Sequence, residues 1–199
     1  MGCGRQKILM PFTLQQINVH LQNIHVDNNE RTALFSYQEL IAHFDGLKPL
    51  NVHNLIVGTH IVYGWMPKML TLYIENGQFE NIVNILNNLN ENNIIQFDAL
   101  VSLKEIINHS IVGVSKLLHF LYPSWYAIWD SRVYSSINGE LNYYQFRKPQ
   151  LYLDYLQNCR DVIEKNEFAI FHEQVNEKIG YTVSRMRAIE WVLYKNPHN

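Results

Sequence analysis

The 199-residue sequence contains little cysteine, little charge and no long apolar run. Its two cysteines, Cys3 and Cys159, are too few for a disulfide framework and are typical of a reducing cytosol. No apolar run reaches the roughly 18 residues of a membrane-spanning helix, and no basic-then-apolar leader opens the chain. These absences exclude disulfide-rich secreted domains and helical membrane proteins, so we expect a soluble intracellular protein.

Positive charge is also scarce. Charged residues make up 17% of the chain, and the formal net charge is −2. The first 99 residues carry five Lys/Arg against eight Asp/Glu, whereas the remaining 100 carry eleven against ten. A strongly basic patch, the usual sign of nucleic-acid binding, is therefore absent from the composition. Any contact with nucleic acid must be local and must come from the C-terminal half and from backbone amides.

Motifs for metals and cofactors are missing as well. The histidine pairs His20/His25 and His53/His60 do not have the i, i+4 spacing of a helical zinc pair, and no cysteine lies near them. The chain has neither a Gly-rich phosphate loop nor a Gly-x-Ser-x-Gly elbow. We therefore predict no metal site and no cofactor.

What the sequence does contain is helical periodicity. Thr13 and Gln16 have capping-box spacing and precede apolar residues at helical intervals, which predicts a first helix. Similar patterns predict helices that start near Ser36 and Ser102, and others over 51–63, 79–89, 149–163, 168–179 and 185–194, with Pro149 at the start of one and Gly180 at the end of another. The polar and aromatic segment 138–148 shows no helical period. No segment shows β alternation between hairpin turns. The sequence thus predicts one all-α domain over residues 1–199.

The segment from Ser102 to Ile137 has the most informative order of elements. A helix that begins near Ser102 is followed by a tight hairpin at His109 to Ser115, where Gly113 is expected to allow a sharp turn. The next helix carries Lys116. A proline- and aromatic-rich loop, Tyr122 to Trp129, then leads to Asp130 at the start of another helix.

This order resembles that of the helix-hairpin-helix DNA glycosylases, most closely the compact branch with an 8-oxoguanine-glycosylase-like fold. The segments YGWMPKML at 63–70 and SRMRAIEWVLY at 184–194 are also similar to segments of that branch. The resemblance implies that Lys116 and Asp130 form an active site that releases a flipped-out base from DNA. It implies a monomeric protein of the bacterial cytoplasm, whose partner is double-stranded DNA containing a modified base.

Both residues of this pair have a structural alternative. A carboxylate near C1′ stabilises the oxocarbenium-like charge of N-glycosidic bond cleavage, but an aspartate in the position of Asp130 also caps a helix. The amine of Lys116, with its pKa lowered by a helix start, would attack C1′ to form a Schiff base. The alternatives are that water attacks C1′, or that Lys116 is an ordinary surface lysine.

Further residues are assigned to the base and to the DNA strand. A flipped base needs aromatic surfaces around it, for which the candidates are Tyr63, Trp65, Met66, Trp125 and Trp129. Backbone amides at a helix start attract phosphate, and arginines add charge. The DNA-binding candidates are Val112, Gly113, Val114, Ser115, Arg132, Arg185 and Arg187. Glu190 is expected at most to pair with a neighbour.

Two functions stay open at this stage. The first is a DNA glycosylase, in a sharper form an antiphage-defence enzyme that excises glucosylated hydroxymethylcytosine from phage DNA. The second is an all-α module that binds nucleic acid or a protein partner without catalysis. Release of a free base from DNA would separate the two.

Overall fold

The computed structural model describes residues 10–66, 68–73, 78–90 and 94–196, and these residues form eleven helices around one apolar core. The helices are α1 Leu14–Gln22, α2 Asn28–Asp45, α3 Val52–Trp65, α4 Gln78–Asn87, α5 Phe97–Ile106, α6 Ile111–Leu121, α7 Ser131–Asn138, α8 Tyr143–Phe146, α9 Pro149–Ile163, α10 Phe168–Ile179 and α11 Arg185–Tyr194. No strand forms within the described ranges, where Leu72 and Ile107 make an isolated β-bridge. The all-α prediction is confirmed.

Several helix boundaries follow directly from the predicted signals. Thr13 and Gln16 form the reciprocal capping box at the start of α1. Pro149 is the first residue of α9, a position where its missing N–H costs no helical hydrogen bond. Gly180 ends α10 at φ 94°, in the left-handed region that glycine adopts without strain. These signals are local, which is why the sequence alone reveals them.

Helix α6 is the central element of the fold. Nine of its eleven residues are buried, and it packs against α2, α3, α5 and α9. Its buried His119 accepts the hydroxyl hydrogen of Tyr37 at Nε2 (2.7 Å), because Nδ1 lies 2.6 Å from the carbonyl oxygen of Tyr126 and must donate to it. Complete burial lowers the pKa of His119 to about 3, so the ring is neutral. The histidine therefore links α2, α6 and the loop after α6.

Two predicted helix starts are wrong. Helix α2 begins at Asn28, capped by Asp27, and α5 begins at Phe97, so Ser36 and Ser102 both lie inside helices. Their hydroxyls donate to the carbonyl oxygens four residues earlier, each at 2.9 Å. A serine followed three residues later by glutamate fits either a cap or this internal bond, and only packing decides between them.

The predicted hairpin at His109 to Ser115 is also corrected. The connection between α5 and α6 is shorter, Ile107 to Ser110, with left-handed φ angles of 51° at Asn108 and 48° at His109. Ser110 caps α6, so Gly113 lies within the helix rather than in a turn. Glycine is required there because the hydroxyl of Tyr63 occupies the space of a Cβ atom.

Three smaller findings complete the description. The short helix α8 lies inside 138–148, where the sequence predicted no helix, and Asn142 caps it. Cys159 is buried as a free thiol, whereas Cys3 lies outside the described residues. In the described part of the chain, no helix combines the length and the apolar character needed to cross a membrane.

Candidate active site

Two neighbouring cavities share Lys116, Asp130 and Met66 in their walls. The first, here called the aromatic cavity, has a volume of about 310 Å³ and includes Trp65, Trp191 and Tyr194. The second, the polar cavity, has a volume of about 630 Å³ and is lined by Lys68, Asn108, His109, Ser110, Ser131 and Arg147, among others. The fold therefore brings the predicted pair together where the two cavities meet.

Asp130 caps helix α7 and faces both cavities. Its Oδ1 accepts hydrogen bonds from the backbone N–H groups of Arg132 (2.9 Å) and Val133 (3.0 Å), so the capping role is real. Both bonds use Oδ1, and Oδ2 accepts no hydrogen bond from the described residues. Capping thus fixes the orientation of the carboxylate and leaves one oxygen for a ligand.

Lys116 is mostly buried and carries a perturbed amine. Its Nζ lies 5.3 Å from the centre of the Trp65 ring. Burial lowers the pKa of Lys116, while the negative charges of Asp130 and Glu190 partly oppose this effect. The lowered pKa was expected from a helix start, but Lys116 lies in the second turn of α6 and burial is the main cause. A lysine of this kind is not an ordinary surface residue.

The hydroxyl of Ser115 joins the chain beside Lys116 to the chain beside Asp130. It accepts a hydrogen bond from the backbone N–H of Trp129 at 3.0 Å. It lies 2.9 Å from the carbonyl oxygen of Val112 and 3.1 Å from that of Trp129, either of which takes its hydrogen. Ser115 is fully buried, and a buried polar group without a hydrogen bond costs free energy of folding, so these bonds are expected to persist. They fix the spacing of the two site residues.

A buried ion pair contributes to the wall of the aromatic cavity. Arg187 and Glu190 are 7% and 2% exposed, and Nη1 of the arginine donates to Oε2 of the glutamate. The guanidinium also lies 4.5 Å from the centre of the Tyr37 ring. Arg187 was predicted to bind DNA from the surface. It instead points into the fold, because the helical period of α11 places it, with Glu190 three residues later, on the buried face.

The carboxyl group of Glu190 has a shifted acidity. Burial raises its pKa to about 7 and outweighs the opposing charge of Arg187, while the negative charge of Asp130 adds to the rise. Glu190 therefore holds a proton more tightly than an exposed glutamate does, and a shift of this kind is typical of carboxylates at functional sites.

The polar cavity contains groups that suit a charged strand. The start of α6 provides the backbone N–H groups of Ile111 and Val112, which have no acceptor inside the helix. Lys68 and Arg147 add two exposed cations, and Tyr143, which is 64% exposed, adds an aromatic ring. Helix-start amides and cations bind phosphate, and exposed aromatic rings stack on bases.

The predicted base-pocket residues divide into two groups. Trp65 and Met66 line the aromatic cavity, and Tyr63 lines the polar cavity. Trp129 is fully buried in the core, where its indole N–H donates to the carbonyl oxygen of Phe146 at 3.0 Å. Trp125 stacks on Tyr122 and lines neither cavity. Most of the loop at 122–129 belongs to the core, because Tyr122, Tyr126 and Trp129 are buried.

The predicted DNA contacts divide in the same way. Val112 remains at the helix start, and Gly113 donates to the Ser110 hydroxyl, but Val114 and Ser115 are buried and their amides belong to α6. Arg185 is exposed on α11. Arg132 is also exposed and lies 4.8 Å from the centre of the Tyr194 ring, near the aromatic cavity.

Four site residues escaped the sequence reasoning: Glu30, Lys68, Tyr143 and Arg147. Glu190 does pair with a neighbour, Arg187, as expected, but it also lines the aromatic cavity, which the sequence did not reveal. Lys68 lies inside the segment 63–70 and Glu190 inside 184–194. Both segments had been quoted for the family resemblance, but neither residue was assigned to the site. Glu30 belongs to α2, whose true start at Asn28 was missed. Tyr143 and Arg147 come from the aromatic segment that the sequence left without a role.

A larger cavity of about 690 Å³ lies beside α1, α9 and α10, but it contains none of the predicted site residues. Among the residues that the structure describes, no group of three His, Cys, Asp or Glu side chains is placed to hold a metal ion. Comparisons of the chain with protein-family models, with curated proteins and with solved structures give no match.

Proposed function

We propose that this protein is a DNA glycosylase, which removes a base from DNA by cleaving the N-glycosidic bond. The observation that supports it best is the position of Lys116 and Asp130 at the junction of the two cavities. A flipped nucleotide places its base in one environment and its sugar and phosphates in another. The bond that joins base and sugar would then lie at the junction, beside the amine and the carboxylate.

Asp130 would act on the sugar. As the C1′–N bond breaks, its electron pair leaves with the base and positive charge develops on the sugar ring. The fixed carboxylate stabilises that charge, and it accepts a proton from the water that bonds to C1′. The departing base takes up a proton, and the products are a free base and an abasic site. Oδ2 is the oxygen available for this role, since Oδ1 remains engaged in the cap.

Lys116 allows a second route. A neutral amine attacks C1′, and a Schiff base with the opened sugar follows, which leads to strand cleavage. Burial favours the neutral amine by lowering its pKa, whereas the nearby Asp130 and Glu190 favour the charged form. We propose water as the nucleophile and Lys116 as the group that tunes Asp130 and contacts DNA.

The polar cavity would hold the strand that carries the flipped nucleotide. The free amides at the start of α6, together with Lys68 and Arg147, would contact its phosphates. Because this cavity opens beside the aromatic cavity, a substituent on the base has room to extend into it. That room supports a modified base as the substrate, and glucosylated hydroxymethylcytosine of phage DNA is the case we propose to test first.

The experiment uses duplexes that differ only in one base: cytosine, hydroxymethylcytosine, glucosylated hydroxymethylcytosine and a set of other modified bases. Mass spectrometry identifies the small molecules released. We expect one modified base to be released together with an abasic site. Borohydride added during turnover would trap a covalent adduct only if Lys116 is the nucleophile. Binding without release from any duplex would favour the non-catalytic module instead.

A further inference from the structure

The aromatic cavity is lined by residues with buried polar atoms that lack hydrogen-bond partners among the described residues. Nε of Arg187 donates no hydrogen bond, although the side chain is almost fully buried. Oε1 of Glu30 accepts none either, while its Oε2 lies 2.9 Å from Nζ of Lys195. Glu190 lines the same cavity, and its Oε2 is engaged by Arg187. Buried polar groups are normally satisfied, so these atoms point to a ligand that satisfies them.

The walls of the cavity restrict the shape of that ligand. Trp65 comes from α3, and Trp191 and Tyr194 come from α11. Flat aromatic walls around a volume of about 310 Å³ suit one planar ring system. A planar ligand that also presents polar groups at its edge matches both observations.

The balance of donors and acceptors restricts its chemistry. Glu30 offers a carboxylate oxygen that accepts, Glu190 accepts in the same way when it is ionised, and the Nε–H of Arg187 only donates. A matching edge must therefore supply more N–H groups than the carbonyl-rich edges of thymine or uracil do. An exocyclic amine supplies two N–H groups, and the ring nitrogen beside it accepts one.

From these observations, and on the basis of the proposed glycosylase function, we infer that the aromatic cavity selects bases that carry an exocyclic amine. Glu190 and Glu30 accept the amine hydrogens, and the Nε–H of Arg187 donates to the neighbouring ring acceptor. Cytosine and its 5-substituted derivatives fit this edge, as does adenine. Thymine and uracil would place carbonyl oxygens against carboxylates and leave acceptors unpaired, which weakens binding by about tenfold or more.

Free bases test this selection without any need for catalysis. Trp65 and Trp191 line the cavity, so tryptophan fluorescence reports occupancy when the intact protein is titrated with cytosine, 5-hydroxymethylcytosine, adenine, uracil or thymine. We expect saturable quenching by the amino bases at concentrations about tenfold lower than by uracil or thymine. Glu30→Gln and Glu190→Gln replace an acceptor with a donor and should each reduce this preference severalfold. Glu173→Gln, an exposed change on α10, is the matched control and should leave it unchanged.

The outcomes separate this inference from the proposed function. Equal affinity for cytosine and uracil, or no saturable quenching by any base, would overturn the selection, even if base release from DNA is observed. An unchanged preference in folded Glu30→Gln would overturn it as well. Glu30 is less buried than Glu190, with side-chain exposures of 11% and 2%, and it decides the matter if Glu190→Gln does not fold. Selective binding of amino bases together with no base release from any DNA would keep the selection and reject the glycosylase.

Discussion

Replacement of Asp130 by asparagine separates the chemical role of this residue from its structural role. The cap on α7 uses only Oδ1, which accepts from two backbone amides, and the amide oxygen of asparagine can accept the same bonds. Asparagine and aspartate are nearly equal as N-caps, so stability should fall only by the lost charge–dipole term, about 0.3–1 kcal/mol. The negative charge at the junction of the cavities disappears.

Base release should therefore fall by about 10²- to 10³-fold, as when one preorganised electrostatic group is removed from a reacting centre. The assay is single-turnover release of the base from the modified duplex, with thermal unfolding measured in parallel. Asp27→Asn is the matched control, because Asp27 caps α2 through the same kind of bond and lines neither cavity. Unchanged release in folded Asp130→Asn, or an equal loss in Asp27→Asn, would refute the role proposed for this carboxylate.

Three further results are expected. Gly113→Ala should destabilise the fold by about 1–3 kcal/mol, because the new methyl group would collide with the Tyr63 hydroxyl. The control is Gly64→Ala, whose methyl group meets no atom and should not destabilise the fold, and urea unfolding compares the two variants. Burial raises the pKa of Glu190 from 4.5 to about 7, so the folded state holds this proton more tightly than the unfolded chain, and stability should decrease as pH rises between about 4.5 and 7. The slope is at most about 1.4 kcal/mol per pH unit, and Glu190→Gln should flatten it in pH-dependent unfolding. Affinity for unmodified duplex DNA should be weak, and a plot of log binding constant against log salt concentration should have a slope of about −3 if some three phosphates are neutralised. Nanomolar affinity that does not change with salt concentration would contradict this.

Local signals explain what the sequence predicted well. The capping box at Thr13, the proline at the start of α9 and the glycine after α10 each act within one turn of a helix, so neighbouring residues suffice to recognise them. The pair Lys116 and Asp130 was identified from a resemblance in the order of elements, and the structure brings both residues to one junction. Whether they catalyse base release stays a prediction.

Burial explains what the sequence missed. Trp129 and Arg187 were assigned to a pocket and to DNA because of their residue types, but the first is core and the second forms a buried ion pair. Gly113 was assigned to a turn, whereas its role depends on Tyr63, a residue fifty positions earlier in the chain. Residue type and spacing along the chain cannot reveal such partners, because the partners come from other helices.

The bonds of Ser115 have a consequence for how this protein can change over evolutionary time. They hold the segments beside Lys116 and Asp130 as one unit, whereas the walls of the aromatic cavity come from other helices, with Glu30 on α2, Trp65 on α3 and Glu190 on α11. A substitution in a wall can alter which ligand fits without moving the pair. The architecture thus allows substrate preference to diverge while the reacting groups keep their alignment.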